Sequence, residues 1–526
     1  MKSYKFKNLF IHLIFIALFL LLALSLGYNR EQATVITPEV AELSKNSGIP
    51  EKICDIRDYG AKTGTDFKST DAINSAIQDC HNEEGGTVVV PKGVWLSGGI
   101  KLKSNINFFL EEGSEIVFST DLEDYLPVVF TRFQGIEFYN FSPLIYASDG
   151  QNIIISGKGK LVGSGDARED WTGEGDFGIA REKLLAMSLE EVPTEERIFG
   201  YNEPGLRPSF IQFVNCKDII LDGFTVENGP IWTIHPIYSE NFIARNLIID
   251  TWGSNTDGIV IDSTKNVIIE NSFFSTGDDA IAIKSGLDKE GWNISKASEN
   301  IDINNITVVK GNSGVSIGSE MSGGVANVKI RDSVFKNARH GFRIKSTRSR
   351  GGFIRDILVE NIVMDDVPND VIDINLNYSS KLKDKVTSKP VLKNIFIKDI
   401  KGSGGKKRVI NIDGISDSVM ENILFENILF DSSARAVSLE KARNILFRNI
   451  QIEAEDPTFE IEDSQNISVE NSYCGEKSII SCFIIKGSKS KDIWLKGISL
   501  SDFSKVVEIV DGAVESALKI DNENLN

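Results

Sequence analysis

The sequence predicts an all-β chain, a single-stranded, right-handed parallel β-helix, and three observations lead there. A short unit of Asn or Asp, alternating apolar residues and a closing Asn, Asp or Gly recurs along most of the 526 residues. Its strands are dominated by Ile and Val, which suit stacked β-strands. No helical period of comparable strength follows the N-terminal apolar run.

The repeat reads N-I-I-I-S-G from Asn152, D-I-I-L-D-G from Asp218, N-F-I-A-R-N from Asn241 and N-V-I-I-E-N from Asn266. It continues from Asn300, Asn327, Asp356, Asn394, Asn422, Asn444, Asn466 and Asp492, and from Asp218 onward the copies are 22 to 38 residues apart. That spacing is solenoidal, and alternation within each copy sends one face inward. The Asn or Asp corners tolerate turn geometry and are expected to form side-chain ladders between coils. The Leu/Asn frame of leucine-rich repeats, the rival solenoid, is missing. Helix-like exceptions are Asp71 to Cys80, expected to cap the first coils, and Ala180 to Glu196. The latter lies in a charged, aromatic interruption of the repeat at 165–208, containing Trp171, Phe177, Phe199 and Tyr201, which is expected to project and shape a cleft.

The N-terminus has Lys2, Lys5 and Lys7 before an apolar run from Leu9 to Gly27, so residues 1–27 read as a signal peptide or an uncleaved anchor. Residues 28–50 then form a linker and 51–526 the β-helix, in a periplasmic or extracellular compartment. No membrane contact is expected beyond that anchor, and the protein is expected to act as a monomer. The net charge of −18 argues against a nucleic-acid partner. The 5 cysteines, at 54, 80, 216, 474 and 482, permit Cys54–Cys80 and Cys474–Cys482 bridges or buried thiols, and no Cys/His cluster suggests a metal.

Three segments depart from the repeat: S-N-T-D-G-I with Asn255 and Asp257, T-G-D-D-A-I-A-I-K-S with Asp278 and Asp279, and R-H-G-F-R-I-K-S with Arg343 and Lys345. Asp257 and Asp278 lie about one coil apart, so stacking crowds three acids at strand spacing, about 4.8 Å. Like charges so close raise the pKa of at least one carboxyl. Glycoside hydrolysis needs that pairing, an acid to protonate the leaving oxygen and a carboxylate to activate water. Arg343 and Lys345, two residues apart, share one strand face where a substrate carboxylate fits. Taken singly, each piece has a plainer reading: a turn Asp, a water or cation site, a solvated strand face.

Between Cys54 and Tyr378 the chain resembles the polygalacturonase-type glycoside hydrolases, family 28 (a pectin-lyase-like solenoid), and bacterial members in particular. The resemblance rests on D-Y-G-A-K, A-I-N-S-A-I, G-G-T-V-V-V-P-K-G, L-K-S-N-I, L-R-P-S-F-I-Q-F, P-I-W-T-I-H-P and S-I-G-S-E-M-S-G-G-V, together with the three segments above. It implies inverting hydrolysis of pectic polysaccharides or oligosaccharides at α-galacturonosyl linkages, with no metal or other cofactor. It implies Asp278 as general acid, Asp257 and Asp279 as the groups that hold and deprotonate water, and Arg343 and Lys345 as the uronate-binding cations. Asn255 is expected to orient the acids and Tyr378 to contact sugar. Carboxyl separations of about 6.5–9.5 Å would support inversion. One position departs from the pattern: Asn312 stands where the family has a His, which points to altered subsite chemistry such as a rhamnogalacturonan, with His340 a candidate substitute. His235 is expected to be structural or cleft-lining. A calcium-dependent pectate lyase and a non-catalytic polysaccharide-binding β-helix are the competing functions.

Overall fold

The computed structural model describes residues 47–165, 177–201, 205–378, 388–454, 457–474, 481–500 and 507–521, without the side chains of 432, 474, 499 and 500. The signal or anchor at 1–27, nearly all of the 28–50 linker and Trp171 lie outside the described residues. Within them the chain is a solenoid of 38 hydrogen-bonded strands, and every pairing in that sheet is parallel.

Three ladders run along it. The first stacks Ile145–Ser148, Ile211–Val214, Ile234–Ile237, Ile259–Asp262, Ile281–Lys284 and the end of Thr307–Ile317, then Ala338–Lys345 and Asp370–Asn375. The second carries the Asn repeat, through Gln151–Gly157, Lys217–Asp222, Glu240–Arg245, Lys265–Glu270 and Ser298–Asn304. The third stacks short strands such as Thr225–Glu227, Ile248–Asp250 and Phe273–Ser275. Alternate residues of each strand point inward, so Ile219, Phe242, Val267 and Ile301 pile up in one continuous apolar core.

The repeat's corner residues form the expected ladders. Nδ2 of Asn266 donates to Oδ1 of Asn241 (3.0 Å), Asn300 to Asn266 (2.9 Å) and Asn327 to Asn300 (2.8 Å). Their φ values, 58°, 55°, 59° and 52° from Asn241 to Asn327, are left-handed, which Asn tolerates better than other residues with a Cβ. A second ladder runs five residues later, with Asn246 donating to Asp222 (2.8 Å) and Asn305 to Asn271 (2.7 Å).

The first helix spans Thr70–Asn82 and buries Ala72, Ile73, Ala76, Ile77 and Cys80 against the first strands of the core. A disulfide joins Cys54 to Cys80, and Cys216 is a buried thiol. Cys482 is also disulfide-bonded, while the side chain of Cys474 lies outside the described residues.

Three features differ from the sequence expectation. The Ala180–Glu196 segment is a helix over Phe177–Leu189, with only a short turn of helix at Thr194–Glu196; Glu191, at a left-handed φ of 57°, and Pro193 separate them. Val129–Phe133 and Ile136–Asn140 form an antiparallel hairpin outside the solenoid. Asp288–Ile294 adds a short helix. The hairpin is tied down by fully buried Arg132, whose Nη1 donates to Asp262 (2.9 Å) on the first ladder. Among the described residues no helix is long and apolar enough to cross a membrane.

Candidate active site

The cleft lies on the first ladder, where the strand entries carry acids and the strand ends carry lysines. Strand pairing of Ile259 with Ile281 puts Asp257 in register with Asp279, one rung apart. Backbone bonds confirm it, since the amide of Gly258 donates to the Asp279 carbonyl (3.0 Å). Asp257 therefore stacks on Asp279 and not on Asp278, a correction to the sequence expectation. Asp278 is in register with Asn312, whose amide donates to the Asp278 carbonyl (2.8 Å). One carboxyl oxygen from each of the three acids lies within 4.8 Å of the others. That is closer than the 6.5–9.5 Å expected, because the acids sit on neighbouring rungs or are adjacent in sequence.

Their environments differ. Asp257 and Asp279 are buried, at 3% and 1% exposure, whereas Asp278 is half-buried. Burial, with the charge of Asp278 next, pushes the Asp257 carboxyl well above the usual carboxylate range. Burial and the Asp279 charge also push Asp278 up. Burial would raise Asp279 too, but the Lys345 ammonium (2.7 Å from Oδ2) and the Ser316 hydroxyl (2.6 Å) outweigh it and hold that carboxyl low. Asn312 completes the shell, its Nδ2 donating to Asp279 Oδ1 (3.2 Å). The amide thus holds the ionised acid without titrating itself. Asn255 touches the cluster through its backbone, its N–H donating to Asp278 Oδ2 (3.3 Å).

Arg343 and Lys345 leave one face of their strand while Phe342 and Ile344 enter the core, as their spacing requires. Both are already paired inside the protein. Lys345 holds Asp279, and Arg343 Nε donates to Asp373 (3.1 Å), leaving its remaining donors near the Tyr378 ring, 5.8 Å from the guanidinium carbon. Tyr378 and Lys345 line the cleft; Arg343 stands beside it. His340 does not reach the cleft, because it lies one rung beyond Ser313, its Nδ1 facing the Asp370 carbonyl (2.9 Å) and its Nε2 the Asn369 amide (3.3 Å). Burial pulls its pKa down to about 4, so it is a neutral structural imidazole. His235 is likewise structural: it is buried against Gln212 (3.0 Å) and Asp262 (3.6 Å) and does not line the cleft.

Two lining residues escaped the sequence analysis although both lie in segments it singled out. Lys284 closes the T-G-D-D-A-I-A-I-K-S segment, and Glu320 belongs to S-I-G-S-E-M. Lys284 Nζ donates to Glu320 (2.8 Å) beneath the Trp232 ring, and its charge also acts on Asp257. The lysine spacing from Asp279, five residues along the strand, was the available signal. The rest of the roughly 430 Å³ cleft is closed by Phe133, Gln134 and Ile136 of the hairpin and by Arg181, Leu184 and Leu185 of the helix Phe177–Leu189.

Residues 200–440 match the model of glycosyl hydrolases family 28, a span that holds all three acids and both strand cations. A solved exopolygalacturonase from Thermotoga maritima superposes with a TM-score of 0.68 at 34% identity, covering 82% of this chain and 96% of that one. The chain belongs to glycosyl hydrolase family 28. It is a glycoside hydrolase, acting on O-glycosyl bonds. The family 28 enzyme is also 27% identical over 436 residues to a Vitis vinifera protein named "Probable polygalacturonase", covering 80% of this chain and 82% of that one. It is 24% identical over 440 residues to an exo-poly-alpha-D-galacturonosidase of Dickeya chrysanthemi, with 73% and 72% covered.

Proposed function

We propose that this family 28 enzyme is an exported hydrolase of α-galacturonosyl linkages in pectic polysaccharides or oligosaccharides, acting with inversion in a right-handed, single-stranded β-helix. Residues 1–27 serve export, 51–526 form the catalytic unit and 165–208 is its cleft-shaping insertion. The observation that carries the proposal is the unequal burial of three crowded acids. All three acids line the cleft, but Asp278 is the most exposed of them, and burial with the Asp279 charge raises its pKa, which favours the proton a general acid carries. Asp279, ionised beside Lys345, takes the proton from water, and Asp257 one rung away helps hold that water.

The short separation does not by itself favour inversion, since about 5–5.5 Å marks retaining enzymes in general. Burial argues the other way. With Asp257 and Asp279 at 3% and 1% exposure, a small nucleophile such as water suits their position better than the anomeric carbon that a covalent glycosyl intermediate would bring to one of them. The cleft's closure by hairpin and helix favours chain ends or short oligomers over internal sites. Tyr378, Asn255 and Asn312 border the sugar, and Arg343 offers its donors beyond Nε to the uronate carboxylate.

The lyase alternative needs a cation among the acids. Lys345 and Lys284 already supply positive charge beside those acids, which is what a lyase cation would have to provide, and a chelator distinguishes the two. Product analysis on oligogalacturonides, polygalacturonate and rhamnogalacturonan, with and without chelator, tests the proposal. It predicts saturated galacturonate from the first two and no chelator effect. Unsaturated products that vanish with chelator would establish the lyase, binding without cleavage would establish a lectin-like role, and cleavage of rhamnogalacturonan alone would move the substrate there.

A further inference from the structure

The cations of the cleft are not equivalent. Lys345 is held by Asp279 (2.7 Å), Lys284 by Glu320 (2.8 Å) and Arg350 by Asp288 (3.3 Å). Arg343, beside the cleft, is held by Asp373 (3.1 Å). Arg181 lines the same cleft and has no hydrogen bond or ion pair among the described residues. It is half-buried on a helix that is itself firmly seated. Ala180 and Leu184 of that helix are buried with Phe133, Phe138 and Phe199, and Phe177 packs edge-on to Phe133 with ring centres 5.8 Å apart. Arg181 lies four residues after Phe177, three before Leu184 and four before Leu185, so it shares their face.

We propose that Arg181 is a specificity-determining residue, the guanidinium that reads a substrate carboxylate from the wall of the cleft, separately from the strand pair Arg343 and Lys345. This inference rests on the galacturonide reading above and names what distinguishes its substrates. A carboxylate entering at Lys345, Lys284 or Arg350 competes with a carboxylate the protein already supplies. At Arg181 it meets an uncommitted planar fork, able to take both oxygens at once. Two carboxylate readers on different elements suit consecutive uronates better than a backbone in which every second sugar is neutral. The residue comes from the interruption of the repeat, so its presence is a property of this insertion and not of the solenoid.

The test compares trigalacturonate with its methyl ester, using the full-length enzyme and its Arg181→Ala and Arg181→Lys variants. Losing a charge-assisted pair is expected to raise KM for the acid about tenfold in Arg181→Ala, with kcat within about twofold. Arg181→Lys recovers part of the loss, and the ester is processed alike by all three proteins. An unchanged KM for the acid overturns the inference, as does an equal rise on acid and ester, which would make Arg181 a structural part of the wall. Matching melting temperatures separate either result from misfolding, and Arg181→Lys supplies the comparison if the alanine variant folds poorly. A wild-type enzyme that releases saturated galacturonate while Arg181→Ala is unaffected defeats only this inference. A wild type that releases none from either substrate defeats the hydrolase reading and this inference with it.

Discussion

The Asn corners and the acidic cleft are built on the same geometry and put it to opposite use. In both, side chains from successive coils stand one rung apart, about 4.8 Å. From Asn241 to Asn327 each corner residue is a neutral amide that donates to the preceding coil and accepts from the next, so Asn266, Asn300 and Asn327 satisfy one another. Carboxylates have no such self-complementarity. Asp257 and Asp279 are stacked by the same ladder, and their repulsion is offset by the ammoniums of Lys284 and Lys345, with Ser316 and Asn312 also donating to Asp279. A repeat therefore yields stability where its stacked side chains are self-complementary and reactivity where they carry like charge.

The comparison is tested most severely at Asp278. In Asp278→Asn, turnover is expected to fall about 10²–10⁴-fold while substrate binding, measured by calorimetry, persists. Retained turnover would remove Asp278 from its role as acid.

Lys345→Met tests the containment of charge. It leaves Asp279 buried without its ammonium, at a cost of about 3–5 kcal/mol in unfolding free energy. The pKa of Asp279, now held low, should rise. Because the acid limb of the kcat/KM profile marks protonation of a group that must be ionised, that limb should move to higher pH. An unmoved limb would mean that Asp279 is not that group.

Asn300→Ala perturbs the corner instead. It removes the bonds to Asn266 and from Asn327 and places Ala at φ 59°. Denaturant unfolding should show a loss of about 1–3 kcal/mol, with turnover unchanged at assay temperature. Asn300→Gly should recover the backbone share of that loss, which is the smallest of these effects. A fall in turnover comparable to that of the cleft variants would erase the distinction between the two regions.

How much the sequence revealed follows the same division. The corners were readable because each coil repeats the same local requirement, an αL residue, Asn or Asp, whose side chain can hydrogen-bond between coils. Asp257, Asp278, Asp279, Arg343 and Lys345 stood out as breaks in that rhythm. Register was not readable to one residue, so Asp278 took the place that Asp279 holds opposite Asp257. Lys284 and Glu320 lay in view but looked like the end of a strand and a loop residue, since only folding brings them together. The hairpin around Arg132 and the side of the helix bearing Arg181 depend on contacts with Asp262, Trp232 and Ala282, distant in the chain. His340 illustrates the reverse error, a chemically suitable residue placed one rung too far along the ladder.

The central claim is that half-buried Asp278 delivers a proton while buried Asp257 and Asp279 deliver water. Proton NMR of the first sugar released from an α-linked oligogalacturonide tests it directly. The account predicts a saturated reducing sugar that appears first as the β-anomer and then mutarotates. First appearance as the α-anomer, or an unsaturated product, would contradict it.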